Sequence, residues 1–186
     1  MLNSHNLRNK KVGILGLGKT GLSVIKAMKQ AGALITCWDD DKEKRVSLGG
    51  SNVTVKNLNN KNLLRKLDLL VVSPGIPHLY PKPHPVVSLA YELNIRVDND
   101  IGLFFSRYIQ DEYETFSNTP KIIAITGSNG KSTATALAGH VFSKVFRDVE
   151  IGGNIGKPVL ELSPLKAVSY THLRAHETPE HLVCRR

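Results

Sequence analysis

The chain has 186 residues, 41% of them hydrophobic, with a formal net charge of +9. That length allows one large domain or two small ones, and the apolar content supports a packed core rather than global disorder. The polar start from Met1 to Lys11 is unlike a signal peptide, and no apolar run approaches the ~20 residues needed to cross a bilayer. The two cysteines, Cys37 and Cys184, do not make a disulfide framework. A reduced, cytoplasmic protein is expected. The basic residues are scattered, without a dense stripe or interleaved aromatics, so nucleic acid is not expected as a partner and anionic small molecules are.

In chain order, Val12 to Leu15 is a short apolar strand running into Gly16-Leu17-Gly18-Lys19-Thr20-Gly21. Thr20 to Ala31 follows with the helical spacing of Leu22, Ile25 and Met28, and Gly32 closes it. Leu34 to Trp38 is a second strand, ending at Asp39-Asp40-Asp41. Val53 to Val55 is a short third strand, and Asn62 to Leu67 a helix. Leu69 to Ser73 reads as a buried strand, broken by Pro74-Gly75. Pro85 to Leu93 is helical, Ile95 to Val97 a strand, and Ile101 to Ile109 a helix. This alternation predicts a parallel α/β sheet with crossover helices.

Gln110 to Pro120 is polar and aperiodic, and reads as a linker. The pattern then restarts: strand Ile122 to Thr126, a glycine loop, helix Lys131 to Phe146, strand Val149 to Ile151. A loop at Gly152-Gly153-Asn154-Ile155-Gly156 and a helix from Pro158 complete it. From about Val168 the sequence shows no strand or helix logic that continues the fold. His172 and His176 would share a helix face, with His181 and Cys184 after them. A metal site there would lack orienting partners, and the stretch reads as a non-native, adapter-like tail.

The first glycine loop fits G-x-G-x-x-G between a strand and a helix, where glycines admit a pyrophosphate to the helix N-terminus. Asp39 ends the next strand, where a dinucleotide fold places a ribose-binding acid. Alone, this would suggest an NAD-dependent oxidoreductase. The second loop, Thr126-Gly127-Ser128-Asn129-Gly130-Lys131-Ser132-Thr133, is more specific. Its backbone can cradle phosphates, Lys131 can reach the β- and γ-phosphates, and the Ser132 hydroxyl can hold magnesium. A dehydrogenase has no use for such a loop; a non-catalytic nucleotide-binding module remains an alternative. Gly127 lies nearer to Gly130 than the general motif requires, and Ile125 stands where the longer motif has glycine. Ser73-Pro74-Gly75 ends a buried strand, the edge at which open α/β sheets bind ligands.

In this order and spacing, Gly16 to Gly21, Ser73 to Ile76, Ile125 to Thr133 and Gly152 to Gly156 resemble the Mur ligases of peptidoglycan synthesis. The Gly-Ser-Asn-Gly-Lys-Ser loop with Gly-Gly-Asn-Ile-Gly is most similar to the D-glutamate-adding members. The resemblance covers roughly residues 10 to 167. It implies a Rossmann-like substrate domain at 1–109, a linker at 110–120, and the truncated start of an ATP-binding domain at 121–167, with the tail at 168–186. It implies a monomeric ligase, not associated with membranes, that uses ATP and Mg2+ to join D-glutamate to UDP-N-acetylmuramoyl-L-alanine through an acyl phosphate. By the same resemblance Lys19, Thr20, Asp39, Asp40, Ser73, Pro74 and Gly75 would contact the UDP substrate, and Asn154 its muramoyl part. Gly127, Ser128, Asn129, Gly130, Lys131, Ser132 and Thr133 would hold ATP and magnesium, with Lys131 catalytic. The family's later magnesium ligands and third domain have no counterpart. The chain as written is therefore expected to be inactive, with too little sheet beyond residue 120 for the second helix to cover.

Overall fold

A computed structural model describes residues 7–48, 53–112, 121–146, 148–153, 156–162 and 169–174. The chain forms two compact units that divide between Asp100 and Ile101.

The first unit is built on five parallel strands: β1 (Lys11–Leu15), β2 (Leu34–Trp38), β3 (Thr54–Val55), β4 (Leu69–Val72) and β5 (Val97–Asp98). Their order is β3-β2-β1-β4-β5, so the chain reverses direction across the sheet between β1 and β4. Helix α1 (Lys19–Gln30) follows β1, with α2 (Lys42–Val46), α3 (Lys61–Leu64) and α4 (Pro85–Glu92) in the later connections. All of β4 is buried, as is β1 beyond Lys11, which is why these two strands read as unbroken apolar runs. Leu15, Leu64, Leu70, Val72, Val86, Val87 and Ala90 join in one core, with Trp38 packed against it. Glycine at position 32, at φ +74, ends α1: Gly32 N–H reaches the Lys29 carbonyl and Ala33 N–H that of Met28.

In the second unit α5 (Asp100–Glu112) is followed by β6 (Lys121–Ile125), α6 (Lys131–Ser143), β7 (Asp148–Gly153), a 3-10 turn at Val159–Glu161, and β8 (Ser169–Arg174). The parallel sheet has the order β6-β8-β7. Phe104 and Val159 form a small core here with Ile101, Phe105, Ile122, Leu160 and Leu162.

Several expectations are corrected. Helix α5 continues to Glu112, so the polar stretch at 110–112 is helix rather than linker: glutamine and glutamate are good helix formers whatever their polarity. The compact units divide just after Asp100, the first residue of α5, whereas the linker was expected at 110–120. Helix α6 stops at Ser143 and α3 at Leu64. The segment after Pro158 makes one 3-10 turn, not a helix. Ser169–Arg174, read as lacking strand logic, is the middle strand of the second sheet. Its aromatic and β-branched content suits a strand, and its backbone supplies the ladder that β6 and β7 do not offer each other. His172 is therefore in a strand, not on a helix with His176, which lies outside the described residues along with His181 and Cys184. Cys37 is a buried free thiol, its pKa pushed up by burial and eased only partly by Lys29.

Candidate functional site

The first site lies where the sheet order reverses, at the C-terminal ends of β1, β2 and β4, the position at which open α/β sheets bind ligands. At the end of β1, Gly16 has φ +94. Its N–H donates to the Trp38 carbonyl at 2.8 Å, and its carbonyl accepts the buried Ser73 hydroxyl at 3.0 Å. Position 21 tolerates only glycine, because a Cβ there would lie 1.9 Å from the Gly16 carbonyl oxygen. A Cβ at Gly18 would meet nothing within 4 Å. The loop is thus closed to its own protein at Gly16 and Gly21 and open at Gly18. Helix α1 starts at Gly18 with no side-chain cap and no acid in its first turn, so its N-terminal N–H groups suit an anion.

Asp39 fixes this loop from β2. Its Oδ2 accepts the Leu17 N–H at 2.7 Å and its Oδ1 the Asp41 N–H at 2.9 Å, with Lys44 Nζ 3.8 Å from Oδ2. Both carboxylate oxygens serve the loop backbone. Asp40 Oδ1 accepts the Trp38 indole N–H at 3.1 Å, and its Oδ2 lies 3.0 Å from His84 Nε2. The His84 hydrogen bond holds the Asp40 carboxyl below the usual aspartate range. Arg45 stacks over Trp38 at 4.2 Å from the ring centroid and donates to the carbonyls of Asp39 and Asp40 at 2.6 and 2.9 Å.

The site residues expected in this unit thus gather at one sheet edge: exposed Lys19 and half-buried Thr20 open α1, and Ser73, Pro74 and Gly75 follow β4. Asn154 lies outside the described residues. The sequence reading missed Trp38, Arg45 and His84. Only Pro85 at the start of α4 marked the place of His84, since histidine is not a usual N-cap residue.

The second site is the loop between β6 and α6. Gly127 and Gly130 have φ +142 and +75, and Gly130 caps α6 in the left-handed region without a side-chain bond. Residues 126–130 are exposed, whereas Lys131 is 3% exposed. Its ammonium folds back onto the loop, donating to the Gly127 carbonyl and, at 3.0 Å, to that of Ser128. Thr135 Oγ1 donates to the Lys131 carbonyl at 2.8 Å. Gly130 brings no side-chain cap to the start of α6, and a lysine stands beside it, which fits a phosphate.

Residues 10–97 match the family described as Mur ligase MurD-like, N-terminal domain. Those residues are a MurD-like N-terminal domain of the Mur ligases. It is 45% identical over 153 residues to the UDP-N-acetylmuramoylalanine–D-glutamate ligase of Ruegeria pomeroyi, a match covering 82% of this chain and 33% of that protein. It is 43% identical over 166 residues to the protein of the same name from Cereibacter sphaeroides, covering 89% and 36%. With that from Roseobacter denitrificans it shares 43% identity over 164 residues, covering 88% and 35%. The chain therefore spans about a third of the length of the curated relatives it matches. Among solved structures, shikimate dehydrogenase from Aquifex aeolicus overlaps 59% of the chain at 17% identity, with a TM-score of 0.43.

Proposed function

We propose that this chain supplies the UDP-substrate unit and the ATP loop of a ligase joining D-glutamate to UDP-N-acetylmuramoyl-L-alanine in peptidoglycan synthesis. The observation that carries the reading is the pairing, in one chain of this family, of the Asp39-clamped glycine loop with the lysine-bearing loop at Gly127–Thr133. The relatives carry that reaction in their names.

In this reading the diphosphate approaches the open face at Gly18 and the start of α1, where Lys19 and Thr20 stand. The UDP unit also meets Asp39 and Asp40 on one side, and Ser73, Pro74 and Gly75 on the other. Asp39 serves chiefly by holding Leu17, since its two oxygens are already engaged. That engagement also disfavours NAD, whose ribose hydroxyls need a free acidic acceptor. ATP lies along Gly127 to Thr133, and Lys131 exchanges the carbonyls of Gly127 and Ser128 for phosphate oxygens. Among the described residues there is no cluster of acidic or histidine side chains to cage a metal. Ser132 and the nucleotide phosphates would hold magnesium, which when bound offsets charge on the transferring phosphoryl group. The substrate carboxylate takes that phosphoryl group, because a carboxylate is a poor electrophile until it carries a good leaving group. The amine of D-glutamate then displaces phosphate and forms the amide. Asn154 is assigned to the muramoyl part.

Calorimetric titration of the 186-residue chain with UDP, ATP–magnesium and NAD tests the reading. UDP and ATP should bind and NAD should give no heat. Binding of NAD with silence from UDP would overturn it.

A further inference from the structure

Beside the glycine loop runs a side-chain relay that phosphate binding does not need. His84 caps α4, its Nδ1 accepting the Val86 N–H at 3.2 Å. A neutral imidazole that accepts at one nitrogen donates at the other. Nε2–H therefore points to Asp40 Oδ2, 3.0 Å away. The second oxygen of Asp40 takes the Trp38 indole N–H. Asp40 is 72% exposed on its side chain, yet both its oxygens are held, and His84 beneath it is only 17% exposed.

The topology gives this contact its meaning. Asp40 follows β2, while His84 ends the connection from β4 to α4. Those two strands are not neighbours, because β1 lies between them. The Asp40–His84 bond therefore arches across the end of β1, above the strand that delivers the glycine loop. His84 N–H also closes its own connection onto the Pro77 carbonyl at 2.9 Å, so one residue ties that loop to itself, to α4 and to the far side of the crevice.

We propose that His84 is a positioning residue for the nucleotide end of the substrate, holding Asp40 and Trp38 as a fixed rim of the glycine-loop crevice. The inference rests on reading that crevice as the UDP site. His84 does not touch the ligand in this account; it sets the width of the mouth through Asp40.

The two bonds of His84 can be separated. His84→Asn keeps a side-chain oxygen to cap Val86 but is too short to reach Asp40. His84→Gln places an amide nitrogen near the Nε2 position and restores the reach. His84→Asn should weaken UDP binding about fivefold, the scale of a partly exposed polar pair, with only a small fall in the thermal midpoint, and His84→Gln should recover most of the affinity. Asp40→Ala combined with His84→Asn should weaken binding no more than the stronger single change, because both break one bond. Trp38, the single tryptophan, should shift its emission in His84→Asn and not in His84→Gln. Wild-type affinity in His84→Asn, or additive losses in the double variant, would overturn the positioning role alone. A wild-type chain that binds no UDP would instead overturn the nucleotide reading on which it rests.

Discussion

The two glycine loops look alike in sequence, each following a strand and opening a helix, but they are held in opposite ways. The loop at Gly16–Gly21 is fixed from afar: Asp39 accepts the Leu17 N–H, the Ser73 hydroxyl donates to the Gly16 carbonyl, and Gly21 lies against Gly16 itself. The loop at Gly127–Lys131 is fixed by its own lysine, and its other residues are exposed. The first is a preorganised cradle, built by residues from β2 and β4. The second is a local fold whose stabilising cation is the group expected to meet a phosphate. Preorganisation lowers the cost of binding for the first, whereas the second must break its own contacts to bind.

The largest expected effect breaks the comparison at matched positions. Gly21→Ala would place a methyl 1.9 Å from a backbone oxygen that cannot swing away, at a cost of about 3 kcal/mol. Gly130→Ala meets nothing within 4 Å and costs only the left-handed strain at φ +75, about 1–2 kcal/mol. Urea unfolding followed by Trp38 emission, which reports on the first unit, should move strongly for Gly21→Ala and barely for Gly130→Ala. Hydrogen exchange of α6 amides should show the reverse. Asp39→Ala comes next, freeing the N–H groups of Leu17 and Asp41, for about 2 kcal/mol of first-unit stability by the same emission assay. Lys131→Met keeps the stem and removes the charge. It should weaken ATP binding about tenfold, as loss of a charge-assisted contact does, and leave UDP affinity unchanged in the same calorimeter.

How much of this was legible follows from where each signal sits. β1, β4 and α1 could be read because burial writes itself into runs such as Leu69 to Val72 and into the spacing of Ile25 and Met28. Both glycine loops could be read because backbone geometry demands the residue type: Gly21 has no alternative. The side chains that hold the first loop were visible as polar residues but not as clamps. Asp39 looks the same in sequence whether it faces a ribose or the Leu17 N–H, and only the register of β1 against β2 decides. His84 was missed because its partner comes from a strand two places away in the sheet. Lys131 was read as phosphate-directed, while the carbonyls of Gly127 and Ser128, present in every such loop, compete for it locally. β8 was missed because a middle strand is defined by the neighbours it joins, and its own six residues carry only modest strand preference.

The smallest expected effect concerns acid, and it separates the two loops by the chemistry of their clamps. In the first unit Asp68 accepts the Lys11 N–H at 2.8 Å and lies 3.4 Å from Lys10 Nζ, tying the start of β1 to the start of β4. The Lys11 bond, against some desolvation, holds its carboxyl below the ordinary aspartate value of 3.8. Asp40, held by His84, is lowered likewise. A carboxyl with a depressed folded pKa contributes stability that is fully present above the unfolded value and lost as the pH falls through the folded one. Both groups thus support the first unit at neutral pH, and that support begins to fall once the pH drops below about 3.8. Because both are substantially exposed, each contributes under about 1 kcal/mol. The two described contacts of Lys131 in the second loop run to carbonyls, which do not titrate in this range. Acidification from pH 6 to 3 should therefore lower the urea midpoint of the Trp38 signal, and Asp68→Asn should reduce that fall. An Asp68→Asn chain that loses as much stability on acidification as the wild type would remove Asp68 from the account. It would leave Asp40 as the acid-sensitive tie at the crevice itself.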